Sequence, residues 1–173
     1  MRQPAVALLA AAYFAVAFPT YRVPIAMLSA ALENDGCILP EDFAVHNFQI
    51  WSPAANNNRT ATVDFAYSDD STSMETNCHY NSTSVNVGPE GLTPRYACED
   101  DIVEFIWRNG TLTLVEKACP ETTSRGFEAA GSVRPKLRCG ATERNSTLGE
   151  GTGCFALEWS MATNFTSLSP RPR

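Results

Sequence analysis

Apolar and polar residues alternate along this chain in short runs of period two, the pattern of half-buried strands rather than of helices. The cleanest run is Thr60 to Tyr67, where Val63, Phe65 and Tyr67 share one face and Thr62, Asp64 and Ala66 the other. Phe43 to Trp51 carries a similar pattern whose phase slips between Val45 and Phe48, which predicts a β-bulge. Met74 to Tyr80 places Met74, Thr76, Cys78 and Tyr80 on one side, and Val85 with Val87 forms a shorter run. Ile102 to Trp107 and Thr111 to Glu116 are joined through Arg108-Asn109-Gly110, and Asn-Gly is the favoured pair for a type I′ hairpin turn. Phe127 to Val133, Lys136 to Cys139, Cys154 to Trp159 and Asn164 to Leu168 complete the set, and only Ile25 to Leu32 has helical character. Short strands separated by turns every 8 to 12 residues or so predict an all-β fold, a compact antiparallel barrel or sandwich.

The N-terminus reads differently. Arg2 precedes an apolar run from Ala5 to Phe18 that Pro19 ends, short of the roughly 20 residues a spanning helix needs. Ala15 and Ala17 occupy the small-residue positions of a signal-peptidase site, and Ser29 with Ala31 offers a second one. The expected division is a signal peptide at 1–17, a lead segment at 18–39, one β domain at 40–168 and a flexible tail at 169–173. That tail has no apolar run for a lipid anchor, so a secreted, extracellular protein is expected.

Six cysteines behind a signal peptide, Cys37, Cys78, Cys98, Cys119, Cys139 and Cys154, read as a disulfide framework whose pairing the count leaves open. None is spaced as a zinc knuckle or redox pair. Cys78 and Cys98 flank a turn-rich segment with Gly88, Pro89, Gly91 and Pro94, a loop that a disulfide between them would close. Five sequons, at Asn58, Asn81, Asn109, Asn145 and Asn164, exceed chance and predict glycosylation on exposed turns.

Without Arg2, 12 basic residues face 19 acidic ones, a net charge of −7. That argues against nucleic acid or an acidic membrane surface as partner. No nucleophile elbow, zinc-protease, P-loop or dinucleotide motif occurs, and no cofactor or metal site is expected. His46 and His79 fit surface strand positions. Asp69-Asp70 and Glu99-Asp100-Asp101 fit solvated turns, and Glu104, Glu116, Glu128 and Glu158 fit strand edges; a glycosidase pair would need two carboxyls about 5 to 10 Å apart across a cleft. Among the tryptophans, Trp107 is expected in the core. Trp51, beside Ser52 and Pro53 at a strand end, is the expected exposed aromatic, able to stack on a sugar or anchor a partner.

Phe43-Ala-Val45-His-Asn-Phe48, Thr76-Asn-Cys78 with Pro94-Arg-Tyr96-Ala-Cys98, the hairpin Phe105-Ile-Trp107-Arg-Asn-Gly-Thr-Leu112, and Glu128-Ala-Ala-Gly-Ser-Val133 ahead of Cys139 together resemble the fungal family of the major Alternaria allergen, the AA-one-like domain. The resemblance covers roughly Pro40 to Leu168. It implies a secreted β-barrel with no catalytic residues to carry over, acting as an effector or elicitor on a host or extracellular partner. It also implies disulfides Cys78 to Cys98 and Cys139 to Cys154. Cys37 resembles the family's N-terminal cysteine, which can join two subunits. Cys119 departs from the family pattern, so Cys37 is expected to pair with Cys119 inside one chain, and monomer and dimer both stay open. A carbohydrate-binding or cell-wall module is the alternative reading, and a small glycoside-active enzyme ranks below it.

Overall fold

In the computed structural model, the described residues are 21–25, 27, 29, 37–119, 126–143 and 147–171. The segment expected to be a signal peptide, 1–17, and the sequon Asn145 lie outside them. Among the described residues eleven strands follow in order: β1 (Asp42–Pro53), β2 (Thr62–Asp69), β3 (Met74–Tyr80), β4 (Tyr96–Ala97), β5 (Val103–Arg108), β6 (Thr111–Ala118), β7 (Phe127–Val133), β8 (Leu137–Thr142), β9 (Gly151–Ala156), β10 (Ser160–Asn164) and β11 (Ser167–Pro170). They form two antiparallel sheets. The first has the order β3-β2-β1-β9-β8, with β10 also paired to β1; the second has the order β11-β7-β6-β5-β4. The all-β expectation is met. The period-two patterns explain why, because each inner face supplies one half of a shared core. Phe43, Val45, Phe48, Val63 and Phe65 come from the first sheet and Val103, Phe105, Leu112 and Leu114 from the second. Phe65 meets Phe105 edge-on at 5.1 Å between ring centroids, and Phe48 tilts against Trp107 at 5.0 Å.

The phase slip in β1 is a real bulge. Its register with β2 shifts between His46 and Gln49, and Asn47 has a φ of 54°. Asparagine tolerates that left-handed backbone better than branched residues do. On the side away from β2, β1 pairs with β10 over Asp42 to His46 and with β9 over Gln49 to Pro53. The bulge therefore sits where β1 changes partner, and the Asn47 N–H donates to the Trp159 carbonyl at 3.0 Å. The β5–β6 hairpin is also as expected: Asn109 and Gly110 both have positive φ between the paired Arg108 and Thr111.

Three disulfides join Cys37 to Cys119, Cys78 to Cys98 and Cys139 to Cys154. The first ties the lead segment to the residue after β6, the second links β3 of one sheet to the residue after β4 of the other, and the third staples directly opposed residues of β8 and β9. With separations of 82, 20 and 15 residues, each restricts the unfolded chain by about 3 to 5 kcal/mol in the chain-entropy picture.

Several expectations need correction. Val85 and Val87 form no strand; they are exposed, and the Asn86 side chain accepts the N–H groups of Gly88 and Arg95, curling the segment instead. Cys154 to Trp159 is not one strand, because β9 stops at Ala156 and β10 restarts at Ser160. The tail does not loosen at Ser169: Ser169 and Pro170 pair with Glu128 and Phe127, and the Arg171 N–H donates to the Gly126 carbonyl. Helical backbone occurs at Ile25, Met27 and Ser29, within the expected 25–32 run.

If the left-handed turn at Asn47 carries the bulge, Asn47→Gly should leave stability within about 0.5 kcal/mol, while Asn47→Val should cost about 1 to 2 kcal/mol. Urea unfolding midpoints measure both. Equal midpoints for the two variants would contradict this role.

Candidate functional site

The outer face of the first sheet is built from the residues between the core positions. On β2 these are Thr62, Asp64, Ala66 and Ser68, and on β3 Glu75, Asn77 and His79, which pair across as Asp64 with His79, Ala66 with Asn77 and Ser68 with Glu75. His46 and Gln49 are the outward residues of β1 on either side of the bulge, opposite Ala66 and Asp64. His79 Nδ1 lies 2.8 Å from Asp64 Oδ1, and its Nε2 lies 3.3 Å from Glu99 Oε1. The hydrogen bond to Asp64 is the main cause that raises the imidazole pKa above its ordinary value. His46 Nε2 lies 3.0 Å from Ser68 Oγ. Both histidines thus occupy the expected strand surface.

The exposed aromatic is not Trp51. Its side chain points to the outer face but is only 4% exposed, and its indole N–H donates to Thr142 Oγ1 at 3.0 Å. Gly151 makes this possible, since a Cβ there would lie 2.7 Å from the indole ring and 2.4 Å from the Ser52 carbonyl oxygen. Trp107 is half-buried on Phe48, as expected for a core residue. Trp159 is the open one, at 72%, accompanied by Phe155 at 53% and Leu157 at 59%. These three flank the break between β9 and β10 that faces the bulge.

Two shallow grooves lie on this face. One, of about 450 Å³, runs between Trp159 and the side chains of His46, Ser68, Glu75 and Asn77. The other, of about 460 Å³, runs between Phe155 and Gln49, Asp64, Thr62 and Thr142, with Gly140 and Gly153 lining it. The sequons at Asn58, Asn81, Asn109 and Asn164 are all exposed.

The carboxylates expected at strand edges divide. Glu158 is exposed beside Lys136, but Glu104, Glu116 and Glu128 are buried, as is Asp69. On the outer face of the second sheet, Arg95 Nη1 donates to Glu128 at 2.8 Å and sits 3.7 Å from Glu104, while Arg171 Nη2 donates to Glu104 at 2.6 Å. Those acids are neutralised by paired guanidinium groups. Glu116 faces inward and accepts the Tyr67 hydroxyl, joining the two sheets through the core. Burial pushes its carboxyl from an ordinary 4.5 up to about 7, with nearby Asp69 adding to the rise and the Tyr67 bond opposing it. Asp69 is itself raised by burial; its Oδ1 accepts the N–H groups of Ser71 and Thr72, fixing the β2–β3 turn. Among the described residues, no group of three or more His, Cys, Asp or Glu side chains is arranged to hold a metal ion.

No protein-family model and no curated protein sequence matches the chain. Among solved structures, a crystal structure of the Alternaria alternata allergen Alt a 1 superposes with a TM-score of 0.50 at 13% identity, covering 77% of this chain and 91% of that one. The fold is similar to that of Alt a 1. Another crystal structure of the same major allergen gives 0.48 at 13% identity over 76% of this chain and 95% of that one. At this identity the likeness to Alt a 1 is one of fold, and it agrees with the all-β architecture the resemblance implied.

Two outcomes follow from the burial pattern. Trp51→Ala should cost about 3 to 5 kcal/mol and Trp159→Ala less than about 0.5, read from denaturant midpoints; similar losses would contradict the exchange of roles. For Glu116, the unfolded carboxyl ionises near 4.5 while the folded one keeps its proton to about 7, so stability falls as pH rises across that window, by roughly 3 kcal/mol. Glu116→Gln keeps an acceptor for Tyr67 and should flatten that fall between pH 5 and 8. An unchanged slope in this variant would rule the assignment out.

Proposed function

We propose that this is a secreted binding protein without enzymatic activity, acting as a fungal effector or elicitor on a host or other extracellular partner through the outer face of its first sheet. The observation that carries the reading is the exposure of Trp159 with Phe155 and Leu157 on a face that is otherwise polar. Large apolar side chains left in water together mark interaction surfaces more often than they occur by neglect. Trp and Phe also bring much contact area for little lost rotamer freedom.

Other features support the same reading. Three disulfides suit an oxidising, extracellular compartment, in keeping with the signal-peptide pattern of residues 1–17 and the exposed sequons. Cys37 is engaged with Cys119, so a covalent dimer through Cys37 is not part of this proposal. Against catalysis, the buried glutamates are held by arginine or tyrosine partners.

Purified protein infiltrated into leaf tissue is expected to provoke or suppress a defence response. A variant combining Phe155→Ser, Leu157→Ser and Trp159→Ala should keep its fold and lose that response. A silent wild-type protein, or a triple variant as active as wild type, would overturn the proposal.

A further inference from the structure

Resting on the reading that this face is the recognition surface, we propose that its two grooves form one continuous trough for a chain of neutral sugars. Continuity follows from the register. His46 and Gln49 are successive outward residues of β1, and Ala66 and Asp64 are successive outward residues of β2, opposite them. The Trp159 groove contains the first member of each pair and the Phe155 groove contains Gln49 and Asp64. The two spaces therefore abut along β1 and β2, each with its own exposed aromatic wall.

The chemistry of the lining selects the occupant. A pyranose ring offers an apolar C–H face and a rim of hydroxyls, and here an indole or phenyl plate stands beside amide, hydroxyl and carboxylate groups that can bond such a rim. Ser68, Asn77 and Gln49 are neutral; Glu75 and Asp64 are acceptors. No lysine or arginine lines either groove, so phosphate, nucleic acid and acidic polysaccharides find no counter-charge and meet two carboxylates instead. A lipid chain would leave the polar groups without partners. A protein hot spot would gather its apolar anchors at one centre, whereas here Trp159 stands in one groove and Phe155, with Ile50, Trp51 and Leu148, in the other, each beside polar side chains.

Gly140 supplies an independent sign that the trough is kept open. A Cβ there would meet nothing within 4 Å, and its φ is not in the left-handed region, so neither packing nor backbone conformation demands glycine. A strand position of that kind ordinarily favours a branched or aromatic side chain. Its bareness is explained if a ligand lies across it.

The test uses the full secreted chain with neutral gluco-, xylo-, manno- and chito-hexasaccharides and, as an anionic arm, oligogalacturonide, with binding followed by calorimetry and tryptophan fluorescence. At least one neutral hexasaccharide should bind and oligogalacturonide should not. Trp159→Ala and Gly140→Val should each weaken binding about tenfold or more while leaving the melting temperature near that of wild type. Tighter binding of oligogalacturonide than of any neutral sugar would overturn the proposal. So would wild-type affinity in Gly140→Val. If no saccharide binds while the triple aromatic variant still loses the leaf response, the sugar assignment falls and the recognition surface stands. If neither sugar binding nor a response depends on this face, both fall.

Discussion

The left-handed turn at Asn47 is the constraint on which the surface of this molecule depends. A straight β1 would keep one neighbour along its whole length. With one extra residue in the strand, β1 hands its free edge from β10 to β9, and the Asn47 N–H meets the Trp159 carbonyl at the point of exchange. The connecting residues 157–159 therefore lie outside the strands, tied by the Leu157 N–H to the Lys136 carbonyl and by the Trp159 carbonyl to Asn47, and their side chains are exposed to solvent instead of alternating into the core. A backbone feature worth about 1 to 2 kcal/mol thus decides where the exposed Trp159 stands.

The two outer faces are treated differently. On the second sheet, Arg95 and Arg171 lie across Glu104 and Glu128, so that face is closed by the protein's own charges. Val115 between them is buried although it belongs to no part of the central core. On the first sheet, among the described residues, the charged pairs over β2 and β3 are those of the exposed His79 with Asp64 and Glu99, and the polar grooves remain open. This asymmetry, more than any single residue, supports the proposed recognition face. The interior adds one chemical oddity, the carboxyl of Glu116 held between the sheets by Tyr67, which ties the packing of the two layers to pH.

Much of this was legible in the sequence. Val63, Phe65 and Tyr67 alternate because one face of β2 is core, the slip between Val45 and Phe48 is the bulge itself, and Asn109-Gly110 dictates its own turn. The pairing of Cys37 with Cys119 was implied by the resemblance, which assigned the other four cysteines and left these two, and it is the pairing found. What stayed hidden depends on distant neighbours. Trp51 reads as exposed from its own surroundings, and only Gly151 and Thr142, about a hundred residues away in the chain, make room for its indole and satisfy its N–H. Trp159 lies inside a run that alternates like a strand, so its release could not be read without knowing that β1 changes partners opposite it. The same holds for Glu104 and Glu128, whose burial is sustained by arginines from other segments.

Trp159 stands at the proposed recognition surface, while Trp51 and Trp107 are packed into the fold. The three indole N–H signals in a nitrogen-labelled sample, followed during titration with the neutral hexasaccharides, read this directly. The Trp159 signal should move most with ligand, that of Trp51, whose indole lines the Phe155 groove, should move less, and that of Trp107 should hold still. A shift confined to Trp107 or Trp51, with Trp159 unmoved, would contradict it.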